Sequence, residues 1–226
     1  MSILHTESVD QLLSLTALER DEVLEEMEAY ADRNGFPTIG HEVGGFLRLC
    51  ARLGEMDTVF ECGSGFGYSA YWVAPVLGPD GQIVLTDGDE ELLSRAETYF
   101  ENGGYADRAA FEQGDALEIF DRYDGPFDMV LLDHENDRYV EGFETVRDRV
   151  EPGGMIVADN VLHTNPPDER MTPADLAAAL EDGVPEDAGY SLTEFVDYYE
   201  HVRADPDFET TVVPVGEGLF VSIRTQ

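Results

Sequence analysis

The sequence predicts a doubly wound α/β domain. A largely parallel sheet carries helices on both faces, N-terminal helices precede it, and a C-terminal antiparallel hairpin closes it. Three observations predict this. From residue 58 onward short apolar runs alternate with helical stretches, the pattern of parallel strands joined through helices. A glycine-rich turn, GSGFG (63–67), follows the first apolar run and opens a helix. The last two runs, TTVVPV (210–215) and LFVSI (219–223), are separated only by GEG, which is hairpin spacing.

Each element has its own signal. Residues 8–53 read as helical. Thr16 and Glu19 form a capping-box pattern before an amphipathic run with Val23, Leu24, Met27 and Tyr30. NGFPTIG (34–40) breaks that run, and a third helix is expected over 41–53. TVFEC (58–62), QIVLTD (82–87), AAFEQ (109–113), FDMVLLD (127–133) and GMIVAD (154–159) read as buried strands. Helices are expected near 67–77, 90–101 and 138–150, the second with Asp89 as N-cap. Thr172 and Pro173 mark N-cap and N1 of a short Ala-rich helix that Gly183 ends. Ser191 and Glu194 cap a helix over 192–204. One domain spans 1–226, with a helical cap over 1–53 and an α/β core over 54–226. The stretch 163–190 is an insertion that reads equally as a lid, a partner-facing segment or a surface excursion.

Composition bounds the setting. Hydrophobic residues make up 42% of the 226, which excludes global disorder. Forty-nine acidic residues face 13 basic ones, a net charge of −36, and every basic residue is Arg. Over the surface expected for this mass, that is one net negative charge per roughly 280 Å². Such a shell repels itself at ordinary salt and is screened in molar salt, so the chain reads as that of a salt-loving host. It also argues against a nucleic-acid partner, because a phosphate backbone wants a basic patch. Cys50 and Cys62 have neither disulfide-framework nor zinc spacing. The N-terminus MSILHTESVD lacks signal-peptide character, and the longest uncharged window, 62–79, carries Gly, Ser, Tyr and Pro rather than a membrane span. The expected location is cytoplasmic.

Four places carry chemistry. In Glu61-Cys62-Gly63-Ser64-Gly65-Phe66-Gly67-Tyr68-Ser69, glycines admit a ligand close to the backbone, and a helix N-terminus offers free N–H groups. The spacing is GxGxG, not the GxGxxG of dinucleotide folds. Asp87 ends the next strand, where an acid can accept both hydroxyls of a ribose. Gly114-Asp115-Ala116 follows the third strand and fits a nucleotide-crevice loop or a plain turn. Asp133 ends the fourth strand, and Asp159 with Asn160 ends the fifth. Two carboxylates and an amide oxygen at neighbouring strand ends suit a hard divalent cation; hydrogen bonding to loop N–H groups is the even alternative.

These blocks, in order and spacing, resemble the cation-dependent O-methyltransferases, the family of catechol and caffeoyl-CoA O-methyltransferases with a branch acting on tRNA hydroxyuridine. The match runs over roughly 35–226, through PTIG, ECGSGFGYSA, LTDGD, GDALEIF, FDMVLLDHENDRY, EPGGMIVADNVL and VVPVGEGLFVSI. The resemblance implies a Rossmann-like seven-stranded class I methyltransferase sheet. It implies S-adenosylmethionine as cofactor, with Gly63, Gly65 and Ser69 around its methionine portion and Ile39 closing over it. Glu61 joins that set, Asp87 takes the ribose, Gly114, Asp115 and Ala116 border the adenine, and His134 packs beside the cofactor. Asp133, Asp159 and Asn160 would hold the cation, magnesium first and calcium or manganese as alternatives. The implied partner is a small hydroxylated acceptor such as a catechol. Family members are often dimers, and the N-terminal helices are the expected interface. Asp133, His41 and Asn136 are the expected catalytic set, with one departure: the family usually has Lys where this chain has Asn136. His41, His134 and His163 are then the alternative proton acceptors, His41 first because it borders PTIG. The tRNA branch lacks its basic surface here, and a cofactor-binding homologue without turnover is the reading that Asn136 favours.

Overall fold

A computed structural model describes residues 7–134, 136–159 and 172–226. Seven strands form one sheet: β1 (Thr58–Cys62), β2 (Gln82–Asp87), β3 (Ala109–Gln113), β4 (Phe127–Leu132), β5 (Val150–Ala158), β6 (Phe208–Val213) and β7 (Leu219–Arg224). Their order is β3-β2-β1-β4-β5-β7-β6. Pairings among β1 to β5 are parallel, and β7 runs antiparallel to both β5 and β6. The doubly wound sheet with its C-terminal hairpin is therefore as the sequence predicts.

Alternation along the strands feeds two cores, because successive side chains point to opposite faces. Val59, Leu85, Leu131 and Val157 meet α2 (Glu22–Asn34), α3 (Gly40–Leu53), α4 (Tyr68–Val73) and α5 (Glu90–Gly103) on one face. Phe60, Val84, Val130, Ile156 and Phe220 meet α6 (Ala116–Phe120), α7 (Tyr139–Val146), α8 (Pro173–Asp182) and α9 (Tyr190–Ala204) on the other. Phe60 meets Phe120 and Phe127 edge-on, at centroid distances of 4.9 and 5.6 Å. Each such buried ring contributes about 1.5–3 kcal/mol. Tyr71 and Trp72 are fully buried in the first core, where helical spacing on α4 puts them.

Element ends depart from expectation for local reasons. Thr16 does not cap α2; it is the last residue of α1 (Glu7–Thr16), and its hydroxyl donates back to the Leu12 carbonyl at 2.9 Å. Asp21 caps α2 instead, accepting from the Leu24 N–H at 2.9 Å. α9 starts at Tyr190 behind Gly189, with no side-chain cap. β5 starts at Val150, four residues earlier than expected, and its pairing with β4 shifts register between Phe127 and Met129. The expected 138–150 helix is interrupted: 3-10 turns at Asn136–Arg138 and Arg147–Arg149 flank α7. α8 does carry the expected Thr172 N-cap and ends at Gly183, and Asp175 completes a capping box that was not expected. Among the described residues no helix is long and apolar enough to cross a membrane.

Candidate active site

From β1 the chain moves outward to β2 and β3, then returns to β4 on the other side of β1. At such a reversal the connections leave in opposite directions, and a crevice opens beyond the carboxyl ends of the strands. A cavity of about 1280 Å³ lies there. Five strand ends and two loops wall it.

The turn after β1 forms the floor. Gly63 has φ +80°, and a Cβ on it would lie 2.3 Å from the Asp133 carbonyl oxygen, so only glycine lets the ends of β1 and β4 meet. Four of the turn's N–H groups, those of Gly63, Ser64, Gly65 and Gly67, are engaged within the protein. Gly63 and Ser64 N–H both donate to the Thr86 carbonyl, at 3.0 and 2.8 Å, and Gly67 N–H donates to Ser64 at 2.8 Å. Gly65 N–H donates to Asp87 Oδ2 at 2.8 Å, and Asp89 N–H donates to Asp87 Oδ1 at 2.8 Å. The Asp87 carboxylate is thus fixed at the cavity wall with acceptor capacity left over.

Glu61 stands behind this turn, fully buried. The Ser69 hydroxyl, which lines the cavity, donates to Glu61 Oε1. Burial pushes the Glu61 carboxyl up to about 8, with the Asp87 charge adding to the rise and the Ser69 and Ala70 hydrogen bonds opposing it. Glu61 Oε2 and Ser64 Oγ are buried without a hydrogen-bond partner among the described residues.

On the β3 side, Gly114, Asp115 and Ala116 line the cavity. Asp115 Oδ1 caps α6 by accepting from the Leu117 and Glu118 N–H groups at 3.0 and 3.2 Å. Arg138 holds both Asp115 oxygens, at 2.5 and 3.4 Å, and draws that carboxyl below its ordinary range. Asp115 therefore builds the wall rather than offering a free carboxylate to it.

Asp133 and Asp159 line the same cavity from the ends of β4 and β5. Asp133 N–H donates to the Cys62 carbonyl at 2.9 Å, Asp159 N–H to Leu132 at 3.2 Å, and Tyr139 Oη to the Asp159 carbonyl at 3.0 Å. Among the described residues no three His, Cys, Asp or Glu side chains cluster as a metal site. Asn160 and His163 lie outside the described residues. Asn136 opens the 3-10 turn after β4. His134 lines the cavity and its ring packs 5.5 Å from that of Tyr139. His41 is not among the lining residues; its Nε2 faces Glu42 at 3.3 Å.

The roof was partly legible in the sequence. Phe36, Pro37, Thr38 and Ile39, between α2 and α3, line the cavity, and Glu217 joins them from the β6–β7 turn. Ile39 and the PTIG junction were expected at the site; Phe36 and Glu217 were not. The signal for Glu217 was the GEG turn, which reads as hairpin geometry unless its docking partner is known.

The chain matches known proteins over most of its length. A family model described as "O-methyltransferase" matches residues 14–225. A catechol O-methyltransferase of Niastella koreensis is 31% identical over 163 residues, covering 69% of this chain and 73% of that protein. A caffeoyl-CoA O-methyltransferase of Petroselinum crispum is 27% identical over 201 residues, covering 83% and 76%. Among solved structures, the O-methyltransferase TomG from Streptomyces achromogenes in complex with SAM superposes with a TM-score of 0.81 at 25% identity, covering 97% of this chain and 96% of that one.

Proposed function

Because the chain belongs to the O-methyltransferase family, we propose that its cavity brings S-adenosylmethionine together with a small phenolic hydroxyl held beside a divalent cation. The enzyme is an S-adenosylmethionine-dependent O-methyltransferase of the catechol and caffeoyl-CoA type. One observation carries the finer reading: the glycine turn after β1, Asp87 after β2, and Asp133 and Asp159 after β4 and β5 all line one cavity.

The residues fit a cofactor with an amino-acid end and a ribose. Ser64 Oγ and Glu61 Oε2 are buried polar atoms awaiting a partner beside Gly63, Gly65 and Ser69. Asp87, oriented by two N–H groups, accepts the ribose hydroxyls. Gly114 and Ala116 border the adenine, with Asp115 braced behind them by Arg138. Ile39 covers the methionine portion and His134 packs beside the cofactor.

The residues also fit a hard cation. Asp133 and Asp159 are carboxylates at adjacent strand ends, and Asn160 is the next residue in the chain. Magnesium is the first choice of ion. A divalent cation at this place supplies positive charge that lowers the pKa of an acceptor hydroxyl. The protein's own part is to hold the acceptor in line with the methyl group and to exclude water, and positioning of this kind accounts for much of the rate. The roof residues Phe36 to Ile39 do the excluding.

The test is calorimetric titration of S-adenosylmethionine in molar KCl, with and without Mg²⁺, followed by mass-spectrometric detection of methylated catechol. One saturable site and a product requiring the cation are expected. Asp159→Ala is expected to remove the cation requirement together with at least ten-fold of the rate. A folded protein that binds no cofactor, or an Asp159→Ala variant with unchanged cation dependence, sinks the reading.

A further inference from the structure

Resting on the methyltransferase reading of this cavity, we infer that Phe36 is a latch: its ring, seated on the glycine turn, must lift before the cofactor enters or leaves, so Phe36 sets the rate of cofactor exchange. Phe36 begins the stretch 36–39 that joins α2 to α3 along the cavity. Its Cζ and Cε1 would lie 3.2 and 3.3 Å from a Cβ on Gly65, closer than ordinary van der Waals contact, so the ring rests on the bare glycine. It also meets Phe66 edge-on, at a centroid distance of 5.2 Å and an interplanar angle of 72°. Roof and floor therefore touch, and the cavity is closed at that end. Both seats of the ring are protein groups, so the contact owes nothing to a ligand.

Everything around the ring is fastened. Phe66 is buried, and Tyr30 of α2 meets it edge-on with centroids 5.1 Å apart. Tyr68 Oη donates to Glu28 Oε1 at 2.7 Å, which ties α2 to the start of α4. Gly65 N–H is the donor that orients Asp87, so the ring presses on the residue that aims the ribose acceptor. The 36–39 stretch is pinned at both ends. Phe36 N–H donates to the Ala31 carbonyl at 3.0 Å. At the other end the β6–β7 turn lies on the start of α3: a Cβ on Gly216 would lie 2.4 Å from Val43 Cγ2 and 3.4 Å from the Ile39 carbonyl oxygen. The backbone therefore stays, and the moving part is the Phe36 side chain. It is half-buried, and its chain neighbours Gly35 and Pro37 are exposed, so the ring has solvent to swing into. Opening this end of the cavity comes down to unseating one ring from Gly65 and Phe66.

Exchange kinetics test this. Radiolabelled S-adenosylmethionine is bound to the full chain in molar KCl, and its association and its chase by excess unlabelled cofactor are timed by rapid filtration. Phe36→Ala is expected to speed both by about ten-fold and to leave Kd within about three-fold, because a seat made of protein groups opposes opening whichever way the cofactor travels. Ten-fold corresponds to about 1.4 kcal/mol, the order that one edge-to-face aromatic pair supplies. Phe36→Tyr keeps the ring and is expected to keep exchange slow. Phe36→Leu is expected to speed both rates by about three-fold, and it carries the test if Phe36→Ala does not fold. Unchanged exchange in the folded variant overturns the latch. So does a Kd weakened ten-fold with association unchanged, which would make Phe36 an ordinary binding contact. In both cases the methyltransferase stands. A folded wild-type protein that binds no cofactor overturns the methyltransferase reading and the latch together.

Discussion

Glu61 shows how much a single side chain can depend on its surroundings. In the sequence it is one acid among 49, and only its place before the glycine turn marks it. In the fold it is fully buried, and its carboxyl is pushed up to about 8 from 4.5 chiefly by burial. The folded state then holds a proton that the unfolded state releases between those values. Stability from this group is complete below about 4.5 and is lost as pH rises through about 8. Glu61→Gln keeps the shape and removes the titration. Its thermal midpoint, compared with wild type, is expected to fall less as pH rises across that window; parallel curves would contradict a proton on Glu61. Asn136 poses the opposite problem. Its identity is plain in the sequence, and its consequence is chemical. Asn136→Lys is expected to raise catechol methylation several-fold, measured as kcat, because an amine near the acceptor can take its proton; no gain would mean that proton removal is not limiting. The strand-end acids were legible because strand ends are legible. Arg138 bridging to Asp115 was not, since nothing in the local sequence says which carboxylate, 23 positions away, a guanidinium will meet.

Whole elements were read correctly where one period dominated. β1 to β4 are short apolar runs bounded by turn residues, and their limits fall within a residue of expectation. α6 was missed because five residues are too few to show a helical period, although Asp115 two and three positions before Leu117 and Glu118 is a good cap. The N-terminus of α2 was misplaced because two capping patterns lie close together. Asp21 prevailed, and its second carboxylate oxygen also accepts from the Tyr71 hydroxyl at 3.0 Å, a tertiary contact that no local pattern contains. The β6–β7 turn is the element with most at stake for the cavity roof. Gly216→Ala places a methyl against Val43 and is expected to cost about 1–3 kcal/mol, read as a lowered midpoint in denaturant. If the midpoint is unchanged, the turn does not rest on α3.

At the level of the whole molecule, 13 guanidinium groups do all the cationic work. Several are inward-facing clasps rather than surface decoration: Arg149 donates to the Phe120 and Tyr123 carbonyls, Arg224 to those of Arg147, Asp148 and Val150, and Arg147 pairs with the buried Asp205. Acids outnumber these cations 49 to 13, and their mutual repulsion must be screened. The thermal midpoint is expected to rise markedly between roughly 0.1 M and molar KCl, as the screening length falls from about 10 to about 3 Å. A midpoint indifferent to salt would remove the inference of a salt-loving host. Composition gave that expectation directly, because charge summed over a surface needs no contact map. Which faces the cavity's loops present did need one.

The placement of β7 between β5 and β6 has a consequence for how the protein is made. A ribosome releases residues in order, yet the centre of this half of the sheet is filled by the last strand to emerge. Until β7 arrives, β5 has an open edge, β6 has no neighbour, and the turn that carries Glu217 has nothing to hold it over α3. The 36–39 segment and the ends of β1, β2 and β4 can assemble earlier, so a nascent chain acquires its cofactor floor before the Glu217 turn completes the roof. Competence for chemistry arrives with the final strand, and a prematurely terminated chain is left with a half-built crevice and an unpaired edge for quality control to recognise.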